Sequence, residues 1–155
     1  MSYVTSTATP SPDTAACIFC DALASGDDRK NLILRRDPNA FLIVNKYPYA
    51  SGHVMAALNR HVGLLEETPA EELSQVMALV QAAVGALNRA YAPHGFNVGL
   101  NQGRVAGAGV PTHLHIHVVP RWSGDVNFMP IVSDTRVLPE SLDTTYDRLR
   151  AALGS

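Results

Sequence analysis

Between Pro111 and Arg121 apolar and polar positions alternate one by one: His113, His115 and His117 are separated by Leu114 and Ile116 and followed by Val118 and Val119. A period of two with β-branched residues predicts a strand, with three imidazoles on one face and Leu114, Ile116 and Val118 on the other. Asn31–Arg36 and Ala40–Asn45 flank Asp37-Pro38-Asn39, a turn tripeptide in which proline presets one dihedral, and read as an antiparallel hairpin. His53–Leu58 and Phe96–Asn101 are two further strands. A long helix opens at Thr68-Pro69-Ala70-Glu71: Thr68 can cap, Pro69 suits the first helical position, and Glu71 closes a capping box. Leu73, Val76, Met77, Val80, Val84 and Leu87 follow at helical spacing to about Tyr91, and Pro93 and Gly95 stop the run. From Pro139 on, Leu142, Tyr146 and Leu149 predict a short terminal helix. The fold class is α+β: an antiparallel sheet of about five strands with one long helix and a C-terminal helix. The long helix is expected across the face opposite the imidazoles.

The histidine row carries the candidate chemistry. At a rise of roughly 3.3 Å per residue, His113 and His117 stand about 13 Å apart along the backbone. Zinc–nitrogen bonds are only about 2 Å long, so the row is a poor cage for one metal. It suits an extended substrate better, with His115 at the reacting atom. A solvent-facing row of structural histidines is the alternative.

Composition adds little to this but excludes much. With 155 residues, 46% of them hydrophobic, the chain can form one domain with a real core. A net charge of −2 gives no electrostatic case for a nucleic-acid groove. No run approaches the roughly 18 apolar residues that span a membrane. Residues 1–16, rich in Ser, Thr, Pro and Ala, read as a flexible tail and not as a signal peptide, which favours a cytoplasmic location. Cys17-Ile18-Phe19-Cys20 is half a zinc site, a redox pair, or two reduced and partly buried thiols. No strand-turn-helix of thioredoxin type surrounds it. Gly103 to Gly109 is glycine-rich but opens no helix, so it is no dinucleotide fingerprint. It is either an anion-binding nest of backbone amides or a plain flexible connection.

His113-Leu114-His115-Ile116-His117-Val118-Val119 resembles the histidine triad (HIT) superfamily of nucleotide hydrolases and transferases, whose mark is three histidines alternating with hydrophobic residues. Pro120-Arg121-Trp122-Ser123-Gly124-Asp125-Val126-Asn127-Phe128-Met129 is similar to the branch that contains diadenosine tetraphosphate phosphorylases, as is Asn45-Lys46-Tyr47-Pro48-Tyr49 with Gly52-His53. The likeness runs from about Cys17 to Leu149 and implies a HIT-like fold, one HIT domain over 17–155, and a homodimer. It implies cleavage of a nucleoside polyphosphate at the α-phosphate through a nucleotidyl-histidine on His115, with His117 and His53 binding or protonating phosphate oxygens. Phe41 and Asn45 are placed against the nucleoside, although Asn45 also suits a strand-ending turn. Asn101, Gly107, Ala108 and Gly109 are placed near the phosphates. Trp122 borders the cleft or a dimer interface.

For zinc, the resemblance proposes that Cys17 and Cys20 are completed by His61 and His113 as a structural site. Ala108 and Gly109 offer only backbone where relatives often place a side-chain hydroxyl or amide. The acceptor is inorganic phosphate or water, with phosphorolysis slightly favoured. A metal-dependent phosphohydrolase and a non-catalytic nucleotide-binding protein are the rival classes.

Overall fold

The computed structural model describes residues 17–125 and 140–154. The tail expected over 1–16, Phe128 and Met129 lie outside the described residues.

Helix α1 (Ile18–Ser25) starts from Cys17, whose Sγ accepts the N–H of Cys20 and so caps the first turn. It ends at Gly26, φ 75°, in the left-handed region that glycine enters without steric cost. A single turn, α2 (Asp28–Asn31), follows because the Asp27 carboxylate accepts the Lys30 N–H. Leu32, φ 65°, then reverses the chain. This turn takes Asn31 and Leu32 out of the predicted first strand, so β1 is Ile33–Arg36. The hairpin into β2 (Ala40–Val44) closes as expected, with Asp37 N–H donating to Ala40 O at 2.8 Å. Strand β3 (Val54–Leu58) pairs with β2.

The long helix α3 spans Ala70–Tyr91. Its start corrects the expected capping box. Thr68 is buried and donates its hydroxyl to Leu64 O at 2.9 Å, closing the preceding turn of 3-10 helix, so no side chain caps α3. The buried stripe is also turned from the predicted one: Val76, Leu79, Val80, Ala83, Ala86 and Leu87 face inward, whereas Met77 is 47% exposed. Small alanines at 83 and 86 let the helix lie close to the sheet, which a pattern based on large residues overlooks. Strand β4 is Gly95–Gly99, so Asn101 lies beyond it. Strand β5 is His115–Arg121 and helix α4 is Leu142–Gly154.

All pairings are antiparallel, in the order β1-β2-β3-β5-β4. The fold is the α+β architecture read from the pattern. Directly paired residues share a face, and the register therefore sorts the side chains. Phe41, Ala57 and His115 lie in one row and Ile43, Met55 and His117 in the next, on the same face. Leu42, Ala56 and Ile116, with Val44, Val54 and Val118, occupy the other. Ala83 and Leu87 of α3 and Leu149 of α4 form an apolar seam with Leu42 and Val54, which puts both helices opposite the imidazoles. Burying side chains such as Leu79, Leu87 and Leu149 contributes about 1.5–3 kcal/mol each. Tyr146 of α4 ties this layer to the sheet by donating to Ile33 O at 3.0 Å.

One close approach shapes the triad face. A Cβ on Gly63 would stand 2.3 Å from Pro111 O and 2.8 Å from Thr112 Cα. Only glycine lets the segment after β3 lie against the entry to β5, where Leu114 N–H donates to Val62 O at 2.7 Å. That contact brings His61 beside His113.

Candidate active site and metal cluster

The three triad histidines do not form one row along a cleft. His113 precedes β5 and is fully buried, with Nε2–H donating to Leu58 O at 2.6 Å. Its Nδ1 therefore presents a lone pair, and it meets Cys17 Sγ at 3.3 Å, His61 Nδ1 at 3.4 Å and Cys20 Sγ at 3.6 Å. Cys20 Sγ lies 3.4 Å from His61 Nδ1. All four ligand atoms fall within 4.8 Å of one another. A tetrahedral zinc ion with bonds of about 2.0 Å to nitrogen and 2.3 Å to sulfur has N···N edges of about 3.3 Å and N···S edges of about 3.6 Å. The four distances just given match those edges, and the His113–Leu58 bond is the outer support a metal-bound imidazole normally has. His61 Nε2 is buried without a partner among the described residues. The cysteines are free thiols, and burial together with the neighbouring Cys17 pushes the Cys20 thiol up to about 11. The four residues can thus hold a metal ion.

His115 and His117 line an open cleft of about 350 Å³, together with Ile18, Phe19, Asn45, Tyr47, Tyr49, Met55, Gly107, Gly109 and Val110. His115 Nδ1–H donates to His113 O at 2.8 Å, which fixes the tautomer and leaves Nε2, unengaged among the described residues, with a lone pair. Burial lowers its pKa, with that hydrogen bond opposing. His115 is therefore uncharged near neutral pH. The two rings meet edge to face at 5.0 Å between centroids.

Behind them His53, wholly buried, completes a chain of oriented bonds. The backbone N–H of Tyr49 donates to His53 Nδ1 at 3.1 Å, so the ring proton sits on Nε2 and is donated to His117 Nδ1 at 2.9 Å. His117 then carries its own proton on Nε2. Burial, with nearby His117 and His115, pushes His53 down to about 4; burial and His115 do the same to His117. Asn45 Oδ1 accepts the Tyr47 N–H at 2.8 Å, turning its Nδ2 toward Met55 Sδ and His53.

Residues 27–124 match the HIT domain. The chain belongs to the HIT family. The chain is 42% identical over 118 residues to AP-4-A phosphorylase of Mycobacterium tuberculosis, an alignment covering 76% of this chain and 60% of that protein. It is 30% identical over 109 residues to the adenylylsulfatase HINT3 of Arabidopsis thaliana, covering 70% of this chain and 54% of that one. The chain thus spans little more than half the length of these two relatives. A zinc-bound histidine triad protein from Mycobacterium smegmatis has the same fold, with a TM-score of 0.74 and 26% identity over 91% of this chain and 95% of that one. No described helix of this HIT protein is long and apolar enough to cross a membrane.

Several residues placed at the site by sequence stand elsewhere in the HIT domain. His53 does not reach the cleft, since both of its ring nitrogens are engaged behind His117. Phe41 is completely buried and packs edge-on to Phe19 at 6.1 Å, so it supports the cleft floor from below. Asn101 is exposed past the end of β4 and does not itself line the cleft, but it flanks the lining loop, its Nδ2 3.7 Å from where a Cβ on Gly107 would stand. Trp122 follows β5, at a rise of roughly 3.3 Å per residue about 23 Å from His115, and its backbone N–H donates to Asp125.

The glycine loop is only in part a nest. Gly107 N–H donates to Arg104 O and Ala108 N–H to Gly103 O, while Gly109 N–H has no acceptor among the described residues. Ala108 is buried and points away from the cleft lining. Sequence reasoning missed Ile18, Phe19, Tyr47, Tyr49, Met55 and Val110 as lining residues. Met55 had a signal, because it stands opposite His117 once β3 and β5 are paired.

Proposed function

We propose that this protein is a nucleotidyl-transferring enzyme that cleaves diadenosine tetraphosphate or a similar nucleoside polyphosphate at the α-phosphate. The observation that carries this is the His115 tautomer: Nδ1–H is held by His113 O, and the ring lines the cleft with Nε2 unengaged among the described residues. A neutral imidazole so fixed is a nucleophile that needs no reorientation. Its Nε2 lone pair forms an N–P bond to the α-phosphorus while the bridging P–O bond breaks. His117 faces the same cleft with its proton on Nε2. That Nε2–H donates a hydrogen bond to the departing oxygen, which takes the P–O electron pair and leaves as a phosphate anion that needs no proton. In the second step the acceptor attacks phosphorus, the N–P bond breaks with its electron pair returning to His115 Nε2, and any proton the acceptor loses passes to solvent.

Asn45 offers an amide near the cleft floor for a ribose diol, Tyr47 and Ile18 offer apolar surface for a base, and Gly109 N–H is open to a phosphate oxygen. His53 acts by holding the His117 tautomer. Inorganic phosphate is the proposed acceptor, supported by the 42% identity to AP-4-A phosphorylase; water is the alternative. Cys17, Cys20, His61 and His113 are proposed to hold one zinc ion. A closed four-ligand site leaves no open position for substrate, so zinc supplies structure and no chemistry at phosphorus. A homodimer is also proposed, supported by the open edge of β4, where Asn97, Val98 and Gly99 are exposed. A single monomer species in sedimentation velocity would count against it.

The deciding experiment is product analysis with diadenosine tetraphosphate. In the presence of phosphate the enzyme should release ADP and ATP. AMP with ATP at every phosphate level makes the chain a hydrolase on the same scaffold, and no turnover together with retained nucleotide binding makes it a binding protein.

A further inference from the structure

The segment Cys17-Ile18-Phe19-Cys20 serves two places at once. Its outer residues are the thiol half of the metal cluster. Its inner residues line the cleft, Ile18 55% exposed at the rim and Phe19 fully buried. The Phe19 ring lies 4.7 Å from the ring of His115 and 5.1 Å from that of His113, centroid to centroid, so it is wedged between a cluster ligand and the proposed nucleophile. The cluster reaches His115 by a second route as well, because the carbonyl that orients His115 Nδ1–H belongs to His113 itself.

The other anchors of this wall are few: Phe19 on Phe41, partly buried Leu23, and an Arg36 N–H donated to Leu23 O at 3.2 Å. Helix α1 is eight residues long, and only Phe19 and Ala22 of it are buried. An isolated helix of that length is unstable in water and depends on its anchors. Weak thiol–imidazole contacts remain when no ion joins the four ligand atoms. Strands β2 and β3 pair with each other, and their helix-facing side packs on α3, through residues other than the four ligands.

We infer that the metal cluster is a positioning device for the active site: an ion bound there clamps the first turn of α1, and Phe19 transmits that clamp to His115 and the cleft wall. Phe19 is a positioning residue, not a catalytic one. The inference rests on the function proposed above for the role of His115, but the coupling itself is a property of the chain and is measurable without turnover.

The test compares zinc-loaded protein, chelator-stripped protein and zinc-loaded Phe19→Leu. Three quantities are measured: the His115 ring C–H resonances, amide hydrogen exchange, and affinity for a methylene-bridged diadenosine tetraphosphate analogue. Stripping zinc is expected to speed exchange in residues 18–25, leave β2, β3 and α3 protected, and shift the His115 resonances. Freeing one or two ordered side chains of the wall should weaken analogue binding about fivefold. Phe19→Leu should keep its zinc and native protection yet reproduce the His115 shift and lower kcat. The inference is overturned if stripping leaves residues 18–25 and His115 unchanged, or if protection is lost throughout the molecule. It is also overturned if zinc-loaded Phe19→Leu has wild-type His115 resonances and wild-type kcat. If zinc-loaded wild type binds no analogue, the proposed function fails, while the exchange and resonance data still decide the coupling.

Discussion

Gly63→Ala tests the contact that joins the two halves of the metal cluster. The added Cβ would stand 2.3 Å from Pro111 O and 2.8 Å from Thr112 Cα, both backbone atoms that no rotamer change can move. An ordinary carbon–oxygen contact is about 3.3 Å or more, so the segment must retreat by about 1 Å. The 2.7 Å bond from Leu114 N–H to Val62 O lies next to the clash and lengthens with it. Overpacking of this kind costs about 1–3 kcal/mol. For a chain of this size that lowers Tm by roughly 2–4 °C per kcal/mol.

The effect on metal should be larger in kind, because His61 Nδ1 sits 3.4 Å from His113 Nδ1 and zinc tolerates errors of only about 0.2 Å in its bonds. Thermal unfolding in chelator isolates the packing cost, and competition with a zinc-binding dye reads the site. Both should worsen. A variant with wild-type Tm in chelator would refute the packing argument. One with lowered Tm but unchanged zinc affinity would show that His61 is positioned by something other than this contact.

Three further outcomes are expected. His115→Ala should abolish turnover while leaving the fold and analogue binding near normal; substantial residual rate in steady-state assays would remove the covalent step. His53→Phe keeps a ring of similar shape but leaves Tyr49 N–H without its acceptor and His117 Nδ1 without its donor, costing about 1–3 kcal/mol in denaturant titrations. Its kcat should fall by about tenfold or more as His117 loses its fixed tautomer, and a wild-type kcat would show that the orientation is set elsewhere. Acid should destabilise the native state in a defined window. His53 and His117 are held down to about 4 chiefly by burial, whereas the unfolded chain takes up those protons near 6.5. Between these values the unfolded state binds more protons, so stability falls as pH drops from about 6.5 toward 4. Tm measured in chelator across that range should decline; a flat profile would mean the two rings are already charged in the native state.

The hydrophobic pattern identified every described strand and both of the larger helices, since period two and period 3.6 are properties of consecutive residues. It also assigned the His115 and His117 imidazoles to the face opposite α3, though not the separation of His113 from them. Features that depend on competition between partners were not legible. Thr68 has the chemistry of an N-cap, but whether its hydroxyl turns to the next helix or back to Leu64 O depends on the preceding turn. Leu32 adopts φ 65° with no residue type announcing it. Nearness in sequence misled at Trp122, because an extended strand carries a neighbour away from the site as fast as a chain can, whereas Asn101 stays beside Gly107 of the cleft lining. The Ile18 and Phe19 pair was hidden by its flanking cysteines: the spacing advertised ligands, and only the tertiary closure onto His61 and His113 turns the intervening residues into cleft wall. Conversely, the likeness of the motif to the HIT family supplied His61, which no local pattern distinguishes from any other loop histidine.

The sheet order has a consequence for how the protein comes into being. Strand β5 inserts between β3 and β4, and His113 meets Cys17 across 96 positions of chain and His61 across 52. Every element of the candidate site therefore depends on ring closures that a growing polypeptide cannot make until residues near 121 have left the ribosome. Contacts of such separation form late and slowly, because the entropy of closing long loops must be overcome first. During synthesis β3 waits with one edge uncovered, and the thiols of Cys17 and Cys20 wait without imidazole partners. A metal ion captured early by the two thiols alone would have two coordination positions open, and completing them with His61 and His113 would draw β5 into its slot. The order of events in folding is thus open to measurement: zinc added before refolding should speed the appearance of native β3–β5 pairing, and zinc added afterwards should not.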